Sequence, residues 1–447
     1  MDKTKMMTLK FRKSRLLVPA LLATSIGLLG CGGSSNDKDN NTPPPSSAGI
    51  TVLPERFNFG LITEGNSAKP RQFTLSNEGD TPYSISNMSL VGFNPAEFVL
   101  DENGGDAPCA ARALSLAPGE SCTVEVSFNP RSFDEFSAAL LVRSNDPNAS
   151  SVARALSGTY AKVESVNVTV NQVNACPRSA PAKAFVSVLD QAGFPIRGLD
   201  SGDFTLEEGG VLVSNPDARP VADNANIALS IVIDNSCSIT RFPSAVDNME
   251  EAATLLVEAM RANDEADIIK YANEVKEMLP GGFTSDPAVL KAAIAEDPGL
   301  SCGTAFYDAT VKAIERLQTR ATDRKVVINL TDGEDTRSVN AGLADTVNDA
   351  LATNIPIFTV GFGDINPAVL QEMADDTGGV FYNPAADANL QQIADQVTAL
   401  LFNDQYVITF DSALADDQSA SLVVTTEFIK DGTPFAGEGS RTMLACP

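Results

Sequence analysis

The sequence predicts a multi-domain chain in which one doubly wound α/β domain is flanked by antiparallel β-sandwich segments. Two observations carry this. In the middle, short β-branched runs at Ile227–Ile233, Lys325–Leu330 and Ile355–Val360 alternate with amphipathic stretches, the pattern of a parallel sheet covered by helices on both faces. On either side, as in Arg71–Gly79, Cys122–Phe128 and Ser421–Thr426, apolar and polar residues alternate over short runs broken by turn residues, the pattern of half-buried antiparallel strands.

The 447 residues are enough for about three domains. A formal net charge of −26 argues against a nucleic-acid partner, because phosphate binding needs clustered Lys and Arg. The chain has no histidine, which removes the Ser-His-Asp triad and His-ligated zinc, and it is expected not to be an enzyme. No residue is assigned a catalytic role.

Taken in order, residues 1–30 carry Lys3, Lys5, Lys10, Arg12, Lys13 and Arg15 ahead of the apolar run Leu16–Leu29, and read as a signal peptide. Leu28-Leu29-Gly30-Cys31 resembles the bacterial lipobox, which implies acylation of Cys31. An ordinary signal peptide beside an unmodified cysteine is the alternative. The lipid anchor would be the protein's only membrane contact. Gly32, where an aspartate would retain the protein at the inner membrane, implies by the same resemblance the outer membrane of a bacterial cell envelope, facing periplasm or cell surface. Residues 31–48, rich in Gly, Ser, Asn, Asp and Pro, read as a flexible tether.

Residues 49–160 form the first sandwich. Phe57-Asn58-Phe59-Gly60, Leu116-Ala117-Pro118-Gly119-Glu120, Phe128-Asn129-Pro130 and Ser144-Asn145-Asp146-Pro147 resemble the Ig-like domains of the abnormal spindle and hydin type, which implies spacer or binding duty. Residues 162–223 are β-rich, and 404–447 alternate again; the two are expected to pair into one discontinuous sandwich around an inserted domain at 224–403. Inside that insertion, Met249, Ala252, Ala253, Leu256, Val257 and Met260 share one helical face, as do Leu390, Ile393, Ala394, Val397, Leu400 and Leu401. Pro367 and Gly378-Gly379 mark the start and end of another helix.

Three loops of the insertion carry oxygen donors. Asp234, Ser236 and Ser238 follow the first buried strand, Asp332 follows the second, and Thr304 stands where a helix is expected to open. Ligands of parallel sheets collect beyond the carboxyl ends of the strands. Hydroxyls and carboxylates without imidazole suit a hard divalent cation, Mg2+ or else Mn2+ or Ca2+. Two carboxylates roughly neutralise such an ion and leave an electrophilic open position.

This ordered set, Asp-x-Ser-x-Ser, then Gly303-Thr304-Ala305, then Thr331-Asp332-Gly333, resembles the metal-ion-dependent adhesion site of the von Willebrand factor type A family, whose domain has a Rossmann-like fold. The resemblance implies that Ser236, Ser238 and Thr304 approach the ion directly or nearly so, and Asp234 and Asp332 through water. The alternative is a metal-free site whose residues cap helices. Phe362, Glu334 and Asp335 fall near the same edge by loop position.

With Cys31 set aside, six cysteines allow fifteen pairings. Cys109 and Cys122 are close in one β module; Cys237 and Cys302 sit in loops that converge if the serines and Thr304 share an ion; Cys176 and Cys446 remain. Buried free thiols are the alternative. Cys237 stands where the family commonly has glycine, so a bridge to Cys302 would tie two ligand loops together.

The function expected is adhesion or protein binding: the metal of an envelope lipoprotein captures an acidic residue on a protein ligand. A structural scaffold whose metal only steadies loops is the second reading, and a metal-dependent hydrolase the third.

Overall fold

The computed structural model describes residues 49–446 apart from 112–114, 222–224, 238–242, 363–364 and 384–389. The signal peptide, Cys31, the tether and Ser238 lie outside the described residues.

The first sandwich has a four-stranded sheet, in the order Ile50–Leu53, Arg71–Asn77, Ser121–Phe128, Phe98–Asp101. Its second sheet runs Arg56–Thr63, Ser151–Ala161, Asp134–Ser144, Tyr83–Val91, Ser115–Leu116. Alternate residues of both sheets, including Phe59, Phe73, Phe128 and Leu140, share one core. A disulfide between Cys109 and Cys122 lies within it.

The second sandwich draws strands from both sides of the α/β domain. One sheet is Val166–Asn174, Ala182–Asp190, Tyr406–Phe410, Asp217–Pro220; the other is Val211–Leu212, Phe204–Glu208, Ala420–Lys430, Thr433–Met443. Val186, Leu206, Ile408 and Leu422 are fully buried in its core, and a disulfide joins Cys176 to Cys446. The strand entering the α/β domain and the strand leaving it are antiparallel neighbours, with Pro220 opposite Tyr406.

Between them lies a six-stranded sheet, in the order Val275–Glu277, Glu265–Tyr271, Ile227–Asp234, Arg324–Thr331, Ile357–Gly361, Phe381–Tyr382. All neighbours are parallel except the short edge strand Val275–Glu277. Every residue of Ile227–Asp234 is buried, because helices cover both faces. Ile227, Leu229, Ile231 and Ile233 pack with Met249, Leu256, Leu290, Val397 and Leu401 on one side. Ala228 and Val232 meet Phe306, Ala313, Leu317, Leu370 and Met373 on the other. Each of the Val, Leu, Ile, Phe and Met side chains among them contributes roughly 1.5–3 kcal/mol when fully buried. Chain order reverses on either side of Ile227–Asp234, so the loops after it and after Arg324–Thr331 diverge and leave a crevice at the carboxyl edge.

The opposite edge rests on the second sandwich. Arg324, at the start of its strand, is buried and donates to the Leu401 carbonyl at 2.6 Å and to Gln405 Oε1 at 2.7 Å, with its guanidinium 5.6 Å from the Phe185 ring. Burial lowers its pKa to about 9. An eight-residue strand separates this contact from the crevice, roughly 25 Å of extended chain. Among the described residues, no helix is long and apolar enough to cross a membrane.

Candidate metal centre

Asp234 closes the central strand with no exposed surface. Its Oδ1 accepts the backbone N–H of Ser236 at 2.8 Å, a local turn that folds the loop back over the strand end. Its Oδ2 accepts from the Thr331 hydroxyl at 2.9 Å and lies 3.1 Å from the Tyr271 hydroxyl. Tyr271 has one proton to give and stands nearer to Thr331 Oγ1, at 2.8 Å; a relay from Tyr271 to Thr331 to Asp234 uses each hydroxyl once. Sheet register makes this possible, since Tyr271 is paired with Asp234.

Asp332 follows the neighbouring strand and is 3% exposed. Its Oδ1 accepts the Glu334 N–H at 3.2 Å, while Oδ2 has no hydrogen-bond partner among the described residues. Burial pushes the Asp234 carboxyl up to about 6, and the charge of Asp332 pushes the same way against the hydrogen bonds from Ser236 and Thr331. Burial, and then the charge of Asp234, raise the Tyr271 hydroxyl well above its ordinary value.

Thr304 is brought to the same edge by the segment after Asp332. Its carbonyl accepts from Thr336 N at 2.9 Å and Arg337 N at 3.0 Å, and its own N–H donates to Thr336 Oγ1 at 3.1 Å. Thr304 does not open the helix. That helix runs Phe306–Gln318 with Ala305 at its N-cap and no side-chain cap, because the Thr304 backbone is taken up by residues 336 and 337. The Thr304 hydroxyl, on a residue 5% exposed, has no hydrogen-bond partner among the described residues, so it is not a capping group. A disulfide between Cys237 and Cys302, with Cα atoms 5.1 Å apart, joins the first ligand loop to the second.

The structure therefore brings Asp234, Ser236, Thr304 and Asp332 to one edge of the sheet; Ser238 is outside the described residues. Phe362 cannot touch a partner. It is 3% exposed and belongs to the core beneath the crevice. Glu334 is exposed, and Asp335 is spent on the loop, accepting from Tyr307 N at 3.2 Å and Ser338 Oγ at 2.6 Å. Thr331 enters the sequence reading only as part of its Thr-Asp-Gly motif, with no role of its own, and Tyr271 and Thr336 are given no role in it.

The buried Asp332 carboxylate lies close enough to Asp234 to raise its proton affinity, and among the described residues neither acid is paired with a Lys or Arg. With only oxygen donors around them, the arrangement fits a hard divalent cation, which Asp234, Ser236, Thr304 and Asp332 could hold.

Residues 229–396 match the family model of the von Willebrand factor type A domain. The chain carries a von Willebrand factor type A domain. Residues 49–159 match the HYDIN/CFA65/VesB-like, Ig-like domain. Von Willebrand factor type A domains are in general interaction modules. No curated protein matches the chain. Among solved structures, the von Willebrand factor type A protein of Catenulispora acidiphila is 16% identical, with 63% of this chain and 73% of that chain covered and a TM-score of 0.37. Proximal thread matrix protein 1 of the mussel byssus, with a zinc-occupied MIDAS motif, is 22% identical over 43% of this chain and 49% of that one, with a TM-score of 0.36. The manganese-loaded TRAP protein of Plasmodium vivax is 12% identical over 54% of this chain and all of that one, with a TM-score of 0.34.

Proposed function

We propose that the chain is a lipid-anchored protein of the bacterial cell envelope, and that its von Willebrand factor type A domain captures an acidic side chain of a protein partner with the help of a divalent cation. The observation that carries this is the pair Asp234 and Asp332: two buried acids beside each other without a basic partner among the described residues. Ser236, Ser238 and Thr304 would complete the ligand set, and Mg2+, Mn2+ or Ca2+ suits those donors. When bound, the cation supplies positive charge at an edge of an otherwise acidic protein, and so reverses the local sign for an arriving carboxylate. The chain's own work is positional. Thr331 and the Ser236 N–H fix the two Asp234 oxygens, the Glu334 N–H fixes one oxygen of Asp332, and the disulfide holds the first two loops together.

This is a binding module rather than an enzyme. The envelope assignment is supported by the basic and apolar leader and by Leu28-Leu29-Gly30-Cys31. A pull-down from envelope extracts, run with Mg2+ and with chelator, tests the function; partners retained equally in both would remove the cation from recognition. Asp332→Ala separates adhesion from scaffolding. Loss of partner binding with the fold kept supports adhesion, and lower stability with binding kept supports the scaffold.

A further inference from the structure

Beyond Asp332 the chain runs outward as a loop that is tightly pinned yet displays two exposed side chains. Asp335 accepts from Ser338 N at 3.1 Å as well as from the Ser338 hydroxyl and Tyr307 N. Asp308, from the helix Phe306–Gln318, accepts the backbone N–H groups of Val339, Asn340 and Ala341 at 3.0, 3.1 and 3.0 Å. A loop fixed in this way loses little entropy when something binds to it.

Its outward side chains are Arg337 and Val339. Val339 is 86% exposed. Arg337 is exposed too, and among the described residues its guanidinium has no ion pair or hydrogen bond, whereas Arg261, Lys270, Arg316 and Arg320 of the same domain are all in ion pairs. Its stem lies across Gly303: a Cβ there would stand 2.6 Å from Arg337 Cγ and 3.2 Å from Nε. Gly303 directly precedes Thr304, so this guanidinium, unpaired among the described residues, sits at the rim of the candidate metal edge of a chain with net charge −26.

We propose that Arg337 is a second cationic contact for the partner, which therefore presents two carboxylates close together, one for the cation and one for Arg337, with an apolar side chain against Val339. The inference rests on the cation reading above and names the chemistry of its ligand. A guanidinium binds a carboxylate through two parallel hydrogen bonds, and acts here as a specificity contact distinct from the metal ligands.

Short Gly/Ser peptides serve as the probe: one carries a single Asp, the other two Asp residues separated by one position beside a Leu. Fluorescence anisotropy with the full chain and Mg2+ is expected to show the paired peptide binding about tenfold more tightly, an advantage lost in Arg337→Gln and partly kept in Arg337→Lys. A Mn2+-induced shift in Tm that is the same in Arg337→Gln and the parent chain would show that metal loading is intact. A paired-acid advantage that survives Arg337→Gln, or no advantage in the parent chain, overturns the proposal while the cation reading stands. Peptide binding that chelator leaves unchanged overturns the cation reading instead.

Discussion

Thr331 Oγ1 stands 2.9 Å from Asp234 Oδ2, so the residue just ahead of one candidate metal aspartate hydrogen-bonds the other. The two ligand loops are thereby coupled before any ion arrives. Such outer partners hold ligand oxygens in place, and their loss typically costs about 10–100-fold in metal affinity. Thr331→Val is expected to weaken Mn2+ binding by about tenfold in calorimetric titration, and Tyr271→Phe by less, because Tyr271 reaches Asp234 chiefly through Thr331. Unchanged affinity in both variants would contradict the relay.

The raised proton affinity of Asp234 sets a pH dependence whose sign can be worked out. A carboxyl with a folded pKa of about 6, above its ordinary 3.8, contributes stability that is fully present below about pH 4 and is lost as pH rises through about 6. Ionised Asp234 therefore costs the metal-free protein about 2–3 kcal/mol at neutral pH, which a bound cation offsets. In the presence of chelator, Asp234→Asn is expected to raise Tm at about pH 8, to raise it about half as much at about pH 5, and to change it little at about pH 4. The Tm gain from millimolar Mg2+ in the parent chain should shrink over the same descent.

Gly303 has φ of +140° and lies against both Arg337 and the Asn273 backbone, where a Cβ would meet Asn273 Cα at 3.1 Å. Arg337 can swing away, but the backbone contact and the φ remain. Gly303→Ala should cost roughly 1–3 kcal/mol in urea unfolding and also weaken Mn2+ binding, since Thr304 is next in the chain.

Arg324 offers a control remote from the crevice. Arg324→Ala strands the Leu401 carbonyl and Gln405 Oε1 and leaves a void beside Phe185. Losses of roughly 3–5 kcal/mol are expected in thermal or urea unfolding. The Mn2+ dissociation constant of the folded variant should stay within about twofold, because additivity holds for sites this far apart.

Much of this was legible along the chain. Ile227–Ile233 and Lys325–Leu330 announced buried parallel strands because a strand covered on both faces has no polar side, and ligand loops follow such strands. Alternation marked the sandwich strands for the opposite reason. What spacing could not reveal was contact set by register or docking. Tyr271 reaches the centre only because it is aligned with Asp234 across the sheet. Arg324 reads as a solvated strand end and is instead enclosed, since the sandwich covers it. Phe362 follows a strand as the ligand residues do, yet its apolar ring turns inward. Arg337 and Asp308 were ordinary surface charges until the loop joining them was seen.

The paired strands that lead into and out of the α/β domain have a mechanical consequence. Val221 N donates to the Gln405 carbonyl at 2.6 Å, so both ends of the inserted domain are anchored side by side. A pull applied at the far rim of the α/β domain is divided between two neighbouring strands loaded in shear, with the Cys176–Cys446 link clasping the β-sandwich behind them. A domain hung from both ends in this manner cannot be peeled open from one terminus.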